Sequence, residues 1–340
     1  MLKNTIFLLS ILCITHTCFA QADSSQYYFK KGVTERIARR YLVASSYFDK
    51  SIHFDPKNTE AYIENGKVNL EMRKIDAAQG NFAKAYSLQP SNVAIIDQLA
   101  LLYYNNRQFQ KAIDLAQKCS SCPNSERVIS MSYYSLEDYA KAVPGLQKVL
   151  AKKPEDGEVA YTLARAYLEM EDFKRAIPAY EKAVSLDATK GTWMYELGLI
   201  YYNKNEFPAA LKYFKMAENA GYIKSNDFYE NIGFSYISTG DVENGMKNLQ
   251  TVLSRKPRNK ELLTDIAQAL FTAKKYDDAL VYYQKLLEID AKDANALYMA
   301  GMTFQRKGMK ERGQQMCDQA IKLDPSLSKN RQKKNESFGL

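Results

Sequence analysis

The prolines of this chain keep a period. Pro56 and Pro90 lie 34 residues apart, and Pro257 and Pro325 lie 68 apart, twice that interval. A fixed interval of this size marks a chain built from copies of one supersecondary unit, each packing on its neighbours. That matters because 340 residues exceed what a single compact core usually serves. A stacked array has no such ceiling.

Other positions repeat in step with the prolines. Numbering each copy from 1, position 8 is small throughout: Gly32, Gly66, Ala100, Ser130, Ala164, Gly198, Gly233, Ala267 and Gly301. Position 20 holds Ala44, Ala78, Ala112, Ala142, Ala176, Ala210 and Ala279. Position 24 is large in Phe48, Phe82, Tyr180, Phe214, Leu249 and Tyr283, and position 11 holds Tyr103, Tyr133, Tyr167, Tyr201, Tyr236 and Phe304. Small residues let two helices approach, large ones fill the space between, and proline at position 32 stands where a helix has stopped.

This pattern resembles the tetratricopeptide-repeat (TPR) family. The resemblance implies an all-α fold: a right-handed superhelical solenoid of about nine helix-turn-helix repeats. They fall at 25–58, 59–92, 93–122, 123–156, 157–190, 191–225, 226–259, 260–293 and 294–327. The third copy is four residues short, and a short loop there is expected to bend the array. Lys31 and Glu35 in the first copy stand where apolar residues are usual, and the second helix of the ninth carries Gln314, Gln315, Asp318 and Gln319, as suits solvated ends of an array.

Residues 1–20 stand apart. Lys3 precedes the apolar run Ile6–Ile14, and the stretch Thr15–Ala20 that follows ends on a small residue. This is the layout of a secretory signal peptide, too short to span a bilayer. Cleavage after Ala20 would leave a short leader, 21–24, and a soluble periplasmic protein with no transmembrane anchor. The exported form resembles periplasmic TPR proteins of the Bacteroidetes type. Residues 328–340 form a basic tail, expected to be disordered.

Little here suggests catalysis or a cofactor. The formal net charge of +8 comes from Lys and Arg interleaved with Asp and Glu, so no nucleic-acid partner is expected. The motifs GxxxxGK[ST], HExxH and GxSxG are absent. Past the leader there is a single histidine, His53, between Ile52 and Phe54. The acid pairs Glu171-Asp172 and Asp277-Asp278 fall between the helices of their hairpins and read as caps and turns. Trp193 reads as packing or surface. Cys119 and Cys122 form a CxxC at the short repeat, a candidate structural disulfide. A pair of free thiols, or a redox or metal role, are the alternatives. Zinc would need further ligands, and Cys317 at position 24 reads as core.

In the family, positions 2, 5, 9 and 12 line the concave face. By resemblance the candidate partner-binding groove is Tyr104, Arg127, Tyr134, Tyr161, Arg165, Tyr195, Tyr202, Phe234, Phe271 and Tyr298. Asp97, Glu158, Glu230 and Glu261 stand among them. Tyr and Arg dominate protein-binding surfaces, because a large, stiff side chain with one polar handle loses little entropy on contact. Pairs at positions 5 and 9, such as Ile63/Lys67 and Tyr161/Arg165, do not match the carboxylate clamp of chaperone-binding TPR domains. The expected role is a non-catalytic scaffold for an envelope protein or peptide, in secretion or outer-membrane assembly machinery. A carbohydrate or nutrient-uptake accessory is the alternative.

Overall fold

The computed structural model describes residues 23–329. Among them are eighteen α-helices, one short 3-10 turn and no strand. A helix over residues 23–37 (α1) is followed by α2 (Tyr41–Phe54), then α3 (Thr59–Glu71) and α4 (Ile75–Leu88). Next come α5 (Val93–Asn105) and α6 (Phe109–Ala116), α7 (Ser125–Ser135) and α8 (Tyr139–Lys152), and α9 (Gly157–Glu169) and α10 (Phe173–Leu186). The second half holds α11 (Gly191–Asn203) and α12 (Phe207–Asn219), and α13 (Asn226–Ser238) and α14 (Val242–Arg255). It ends with α15 (Lys260–Thr272) and α16 (Tyr276–Ile289), and α17 (Ala294–Arg306) and α18 (Lys310–Leu323). The chain is an all-α helical repeat solenoid. It divides into two compact units, one up to Ala183 and one from Val184.

Local chemistry sets the helix boundaries. At the start of odd-numbered helices, Asn58, Asn92, Asp156, Ser225, Asn259 and Asp293 accept backbone N–H bonds through their side chains. Each satisfies a donor the first turn would leave open, worth about 1 kcal/mol. Within each hairpin the turn is made by one residue in the left-handed region. These residues are Arg39, Arg73, Arg107, Glu137, Glu171, Asn205, Gly240, Lys274 and Gly308. The prolines come two residues after the last helical residue, as Leu88 and Pro90 show.

The small-to-large pairing is tight. A Cβ placed on Gly32, Gly66 or Gly198 would come within 2.6–2.7 Å of the ring of Phe48, Phe82 or Phe214. These three rings are fully buried. Where position 24 is not aromatic the helices come closer still: a Cβ on Gly301 would meet the Gly313 carbonyl at 2.7 Å. The cores follow the repeats. The first unit has clusters around Phe48, around Leu99 and Leu115, and around Leu146 and Tyr167. The second has a large cluster from Ile237 to Ala300 and a small one of Tyr298, Cys317, Ala320 and Leu327.

The irregular third hairpin differs from expectation. The loop is not what shortens: α6 has eight residues where α4 has 14. The missing residues are the end of the second helix, and a longer segment follows it. Cys119 and Cys122 are joined by a disulfide in that segment, with Cα atoms 5.3 Å apart. The Ser125 hydroxyl donates to the buried Ala116 carbonyl at 2.7 Å, and the Cys119 N–H donates to it at 3.1 Å, so this carbonyl at the cut helix end is satisfied. Asp277 and Asp278 also differ from expectation, lying in the first turn of α16 rather than between helices. Past α18, Pro325–Leu327 form a 3-10 turn that buries Leu327, and residues 328 and 329 are helical rather than disordered. The rest of the tail, the candidate signal peptide and residues 21 and 22 of the expected leader lie outside the described residues, while residues 23 and 24 belong to α1.

Candidate functional site

The odd-numbered helices touch one another across the array: α5 meets α7 and α7 meets α9, and in the second unit α11 meets α13 and α13 meets α15. No two even-numbered helices approach to the same extent among the described residues. Within each unit the odd helices therefore form the tighter, inner side of the curve. The expected groove residues sit on these helices, and the structure sorts them into three groups.

The first group is tied down across hairpin turns. Tyr104 packs on Phe109, Tyr134 on Tyr139, Tyr202 on Phe207 and Phe271 on Tyr276, with ring centroids 5.6–5.9 Å apart. Each pair is an aromatic at position 12 clasped by one at position 17. The clasp holds one face of each ring, and all four position-12 rings remain half-buried. Tyr161 stands edge-on to the buried Tyr180, and the Arg165 guanidinium lies 5.9 Å above it.

The second group is structural. Tyr195 and Tyr298 are buried, 8% and 7% exposed, and neither lines a groove. Tyr195 stacks on Tyr222 at 4.5 Å, and its hydroxyl accepts from Asn231 Nδ2 at 3.2 Å. Tyr222 reaches it because the connection from α12 to α13 runs from 220 to 225, two residues longer than the 89–92 connection, and turns at Gly221 with φ 78°. Tyr298 is covered by the terminal turn carrying Leu327. Asp97 is buried and accepts from the Asn124 backbone N–H at 3.0 Å and its Nδ2 at 2.8 Å, bracing α7 onto α5. Arg127 Nε donates to Asp156 at 3.0 Å and its Nη2 to Glu158 at 2.6 Å. Burial opposes its charge, but hydrogen bonds and charge from these carboxylates outweigh it and hold the guanidinium above its usual value.

The third group forms a site. In the second unit Tyr202 and Phe234 open onto a cleft of about 630 Å³. Its walls also hold Phe207, Ile237, Ser238, Asp265, Gln268, Ala269 and Thr272; Ile237 and Gln268 stand at groove positions 12 and 9, and the others lie outside the register's groove positions. Phe207 was legible as an aromatic at position 17. Asp265 was not, since position 6 carries no groove role in the family pattern.

This cleft has a distinct electrostatic setting. Glu230 is held above the usual carboxylate range, first by burial and then by Asp227, Asp265 and Glu261, with Lys256 opposing. Asp265 is raised by lost hydration and by Glu261. The Tyr202 hydroxyl is raised by burial, then by Asp265 and Glu230; Asp265 lines the cleft, and Glu230 precedes Phe234 by one turn of α13. Asp227, Glu230, Glu261 and Asp265 make no ion pair among the described residues.

Other candidates resolve as packing or caps. Glu171 takes the left-handed turn position, and Asp172 caps α10 by accepting from the Arg175 N–H at 3.0 Å. Trp193 and Cys317 are buried, and His53 closes α2 against Phe54. Among the described residues, no group of three or more His, Cys, Asp or Glu is placed to hold a metal. No described helix is long and apolar enough to cross a membrane.

Hairpins of this spacing, with small-to-large crossings at positions 8 and 24, define a TPR array. Three tetratricopeptide-repeat family models match it, at 161–223, at 133–177 with 236–300, and at 294–327, together more than half of the chain. The chain belongs to the tetratricopeptide-repeat family. It is 23% identical over 318 residues to the protein CTR9 homolog of Arabidopsis thaliana, covering 88% of this chain and 29% of that protein. It is 20% identical over 160 residues to anaphase-promoting complex subunit 3 of Schizosaccharomyces pombe, covering 46% of this chain and 24% of that one. The chain thus spans less than a third of the length of these relatives. Among solved structures it is similar to YrrB, described as a TPR protein with an unusual peptide-binding site. The identity there is 25%, over 55% of this chain and 97% of that one, with a TM-score of 0.42. It is also similar to the C-terminal part of a TPR protein from Cytophaga hutchinsonii, at 20% identity over 67% and 95% of the two chains, TM-score 0.44.

Proposed function

We propose that this chain is a non-catalytic scaffold that holds a peptide or protein segment on the odd-helix side of its array. The observation that carries this reading is the second unit's cleft, where aromatic rings of Tyr202, Phe207 and Phe234 meet the carboxylate of Asp265. An apolar concavity with a few polar groups is the usual form of a binding site, and clasped rings lose little further entropy on contact. The layout of residues 1–20 supports export, and the scaffold is assigned to the bacterial envelope on that ground.

The test is crosslinked co-purification of the tagged protein from its native cell envelope, wild type against a Tyr202→Ala, Phe234→Ala variant. A defined partner captured by wild type and lost from the variant supports the reading. A wild type that captures nothing above background sinks it. Export is checked separately: the mature amino terminus is expected at Gln21, and an intact Met1 in the purified envelope protein contradicts it.

A further inference from the structure

Among the described residues the lining of the second unit's cleft holds Asp265 and no Lys or Arg. The chain is net positive, and several of its carboxylates are engaged by cations: Asp138 by Lys141, Asp172 by Arg175, Glu218 by Lys224, Asp290 and Asp293 by Lys260. Asp227, Glu230, Glu261 and Asp265 make no ion pair among the described residues, and they lie one turn apart in pairs, the first two on α13 and the last two on α15. The charge of Lys256 opposes the shift at Glu230.

The rings show the same gap. Lys and Arg lie over tyrosines across the array, as Arg175 does over Tyr167 at 4.5 Å and Lys212 over Tyr213 at 4.9 Å. No resident cation among the described residues lies over Tyr202, Phe207 or Phe234. A half-buried aromatic face beside unpaired carboxylates is complementary to a cation on an apolar stem. In the first unit the corresponding place is taken by the chain's own Arg127 on Asp156 and Glu158.

We propose that this cleft binds a basic segment of a partner protein, with a Lys or Arg between Glu230 and Asp265 and an adjoining apolar side chain against Tyr202, Phe207 and Phe234. The proposal rests on the scaffold reading and names the chemistry of its partner. The bound cation relieves the repulsion among the four carboxylates, which is where its selectivity over a neutral segment arises.

The experiment uses the full chain and three labelled peptides that share one apolar frame and carry Lys, Gln or Glu at the same positions. Binding is followed by fluorescence anisotropy. The Lys peptide is expected to bind about tenfold tighter than the Gln peptide, the scale of one charge-assisted contact, and to weaken as salt is raised. In a Glu230→Gln, Asp265→Asn variant, which keeps the shape of both side chains, its affinity is expected to fall to that of the Gln peptide. Equal binding of all three peptides, or a variant indifferent to the change, overturns the charge assignment and leaves the scaffold reading standing. Binding of none of them overturns both at this cleft. A Lys peptide that binds only after residues 330–340 are removed assigns the cleft to the chain's own basic tail and overturns the partner.

Discussion

The two units solve the same packing problem with different residues. The first makes its five hairpin turns with Arg39, Arg73, Arg107, Glu137 and Glu171, all in the left-handed region. The second uses Asn205, Gly240, Lys274 and Gly308. A side chain in that region costs about 1–2 kcal/mol, so the first unit carries more local strain. It also contains the cut helix α6, closed by a disulfide. On its inner face Arg127 pairs with Asp156 and Glu158, whereas in the second unit Asp227, Glu230, Glu261 and Asp265 make no ion pair among the described residues and Asp265 lines an open cleft. The contrast teaches that hairpin geometry is conserved by a few small and large positions, while everything between them is free to be spent on turns, staples or a binding face.

The largest expected effect probes the close crossing in the second unit. Gly301→Ala drives a methyl into the Gly313 carbonyl at 2.7 Å and the Cys317 Sγ at 2.8 Å, and backbone cannot step aside. The cost is expected at about 3 kcal/mol by chemical denaturation. Gly66→Ala in the first unit meets only the Phe82 ring and should cost less; equal costs would erase this distinction. Next, Cys119→Ser with Cys122→Ser opens a short loop, for which chain entropy gives about 2 kcal/mol. A melt with two transitions should show the loss in the first unit alone.

A gain is expected from Glu171→Gly, which relieves a φ of 57°. It should add roughly 0.5–1 kcal/mol, and no rise in the melting midpoint would mean the turn residue contributes a contact that offsets its strain. The smallest effect concerns the acidic face. Because Glu230 and Asp265 are raised in the folded state, the folded protein holds their protons more tightly than the unfolded chain. Stability contributed by these groups is present at low pH and is lost as pH rises past the ordinary carboxylate range. Glu230→Gln with Asp265→Asn should thus raise the midpoint slightly at neutral pH and leave it unchanged in acid. The change should stay within the roughly 0.5 kcal/mol typical of surface sites. A fall at neutral pH would mean the carboxylates are structurally engaged.

The architecture was legible because it rests on residues that recur: small at position 8, large at position 24, proline two residues after a helix. Those are local demands, and a 34-residue period repeats them often enough to be read directly. The binding face was legible only in part. Tyr202 and Phe234 stand where the register put them, but Tyr195 and Tyr298 hold the same register position as surface candidates and are buried. Each is covered by an irregular segment, Tyr222 in the longer connection and Leu327 in the terminal turn, and a periodic pattern carries no information about a departure from itself. Asp97 and Arg127 likewise read as ligands until Asn124, Asp156 and Glu158 were seen to occupy them. Sequence determined which helices form and which faces they bury, since both follow from residues near in the chain. Tertiary structure alone decided which polar and aromatic groups remain unsatisfied, because that depends on neighbours about thirty residues away, brought close only when hairpins stack.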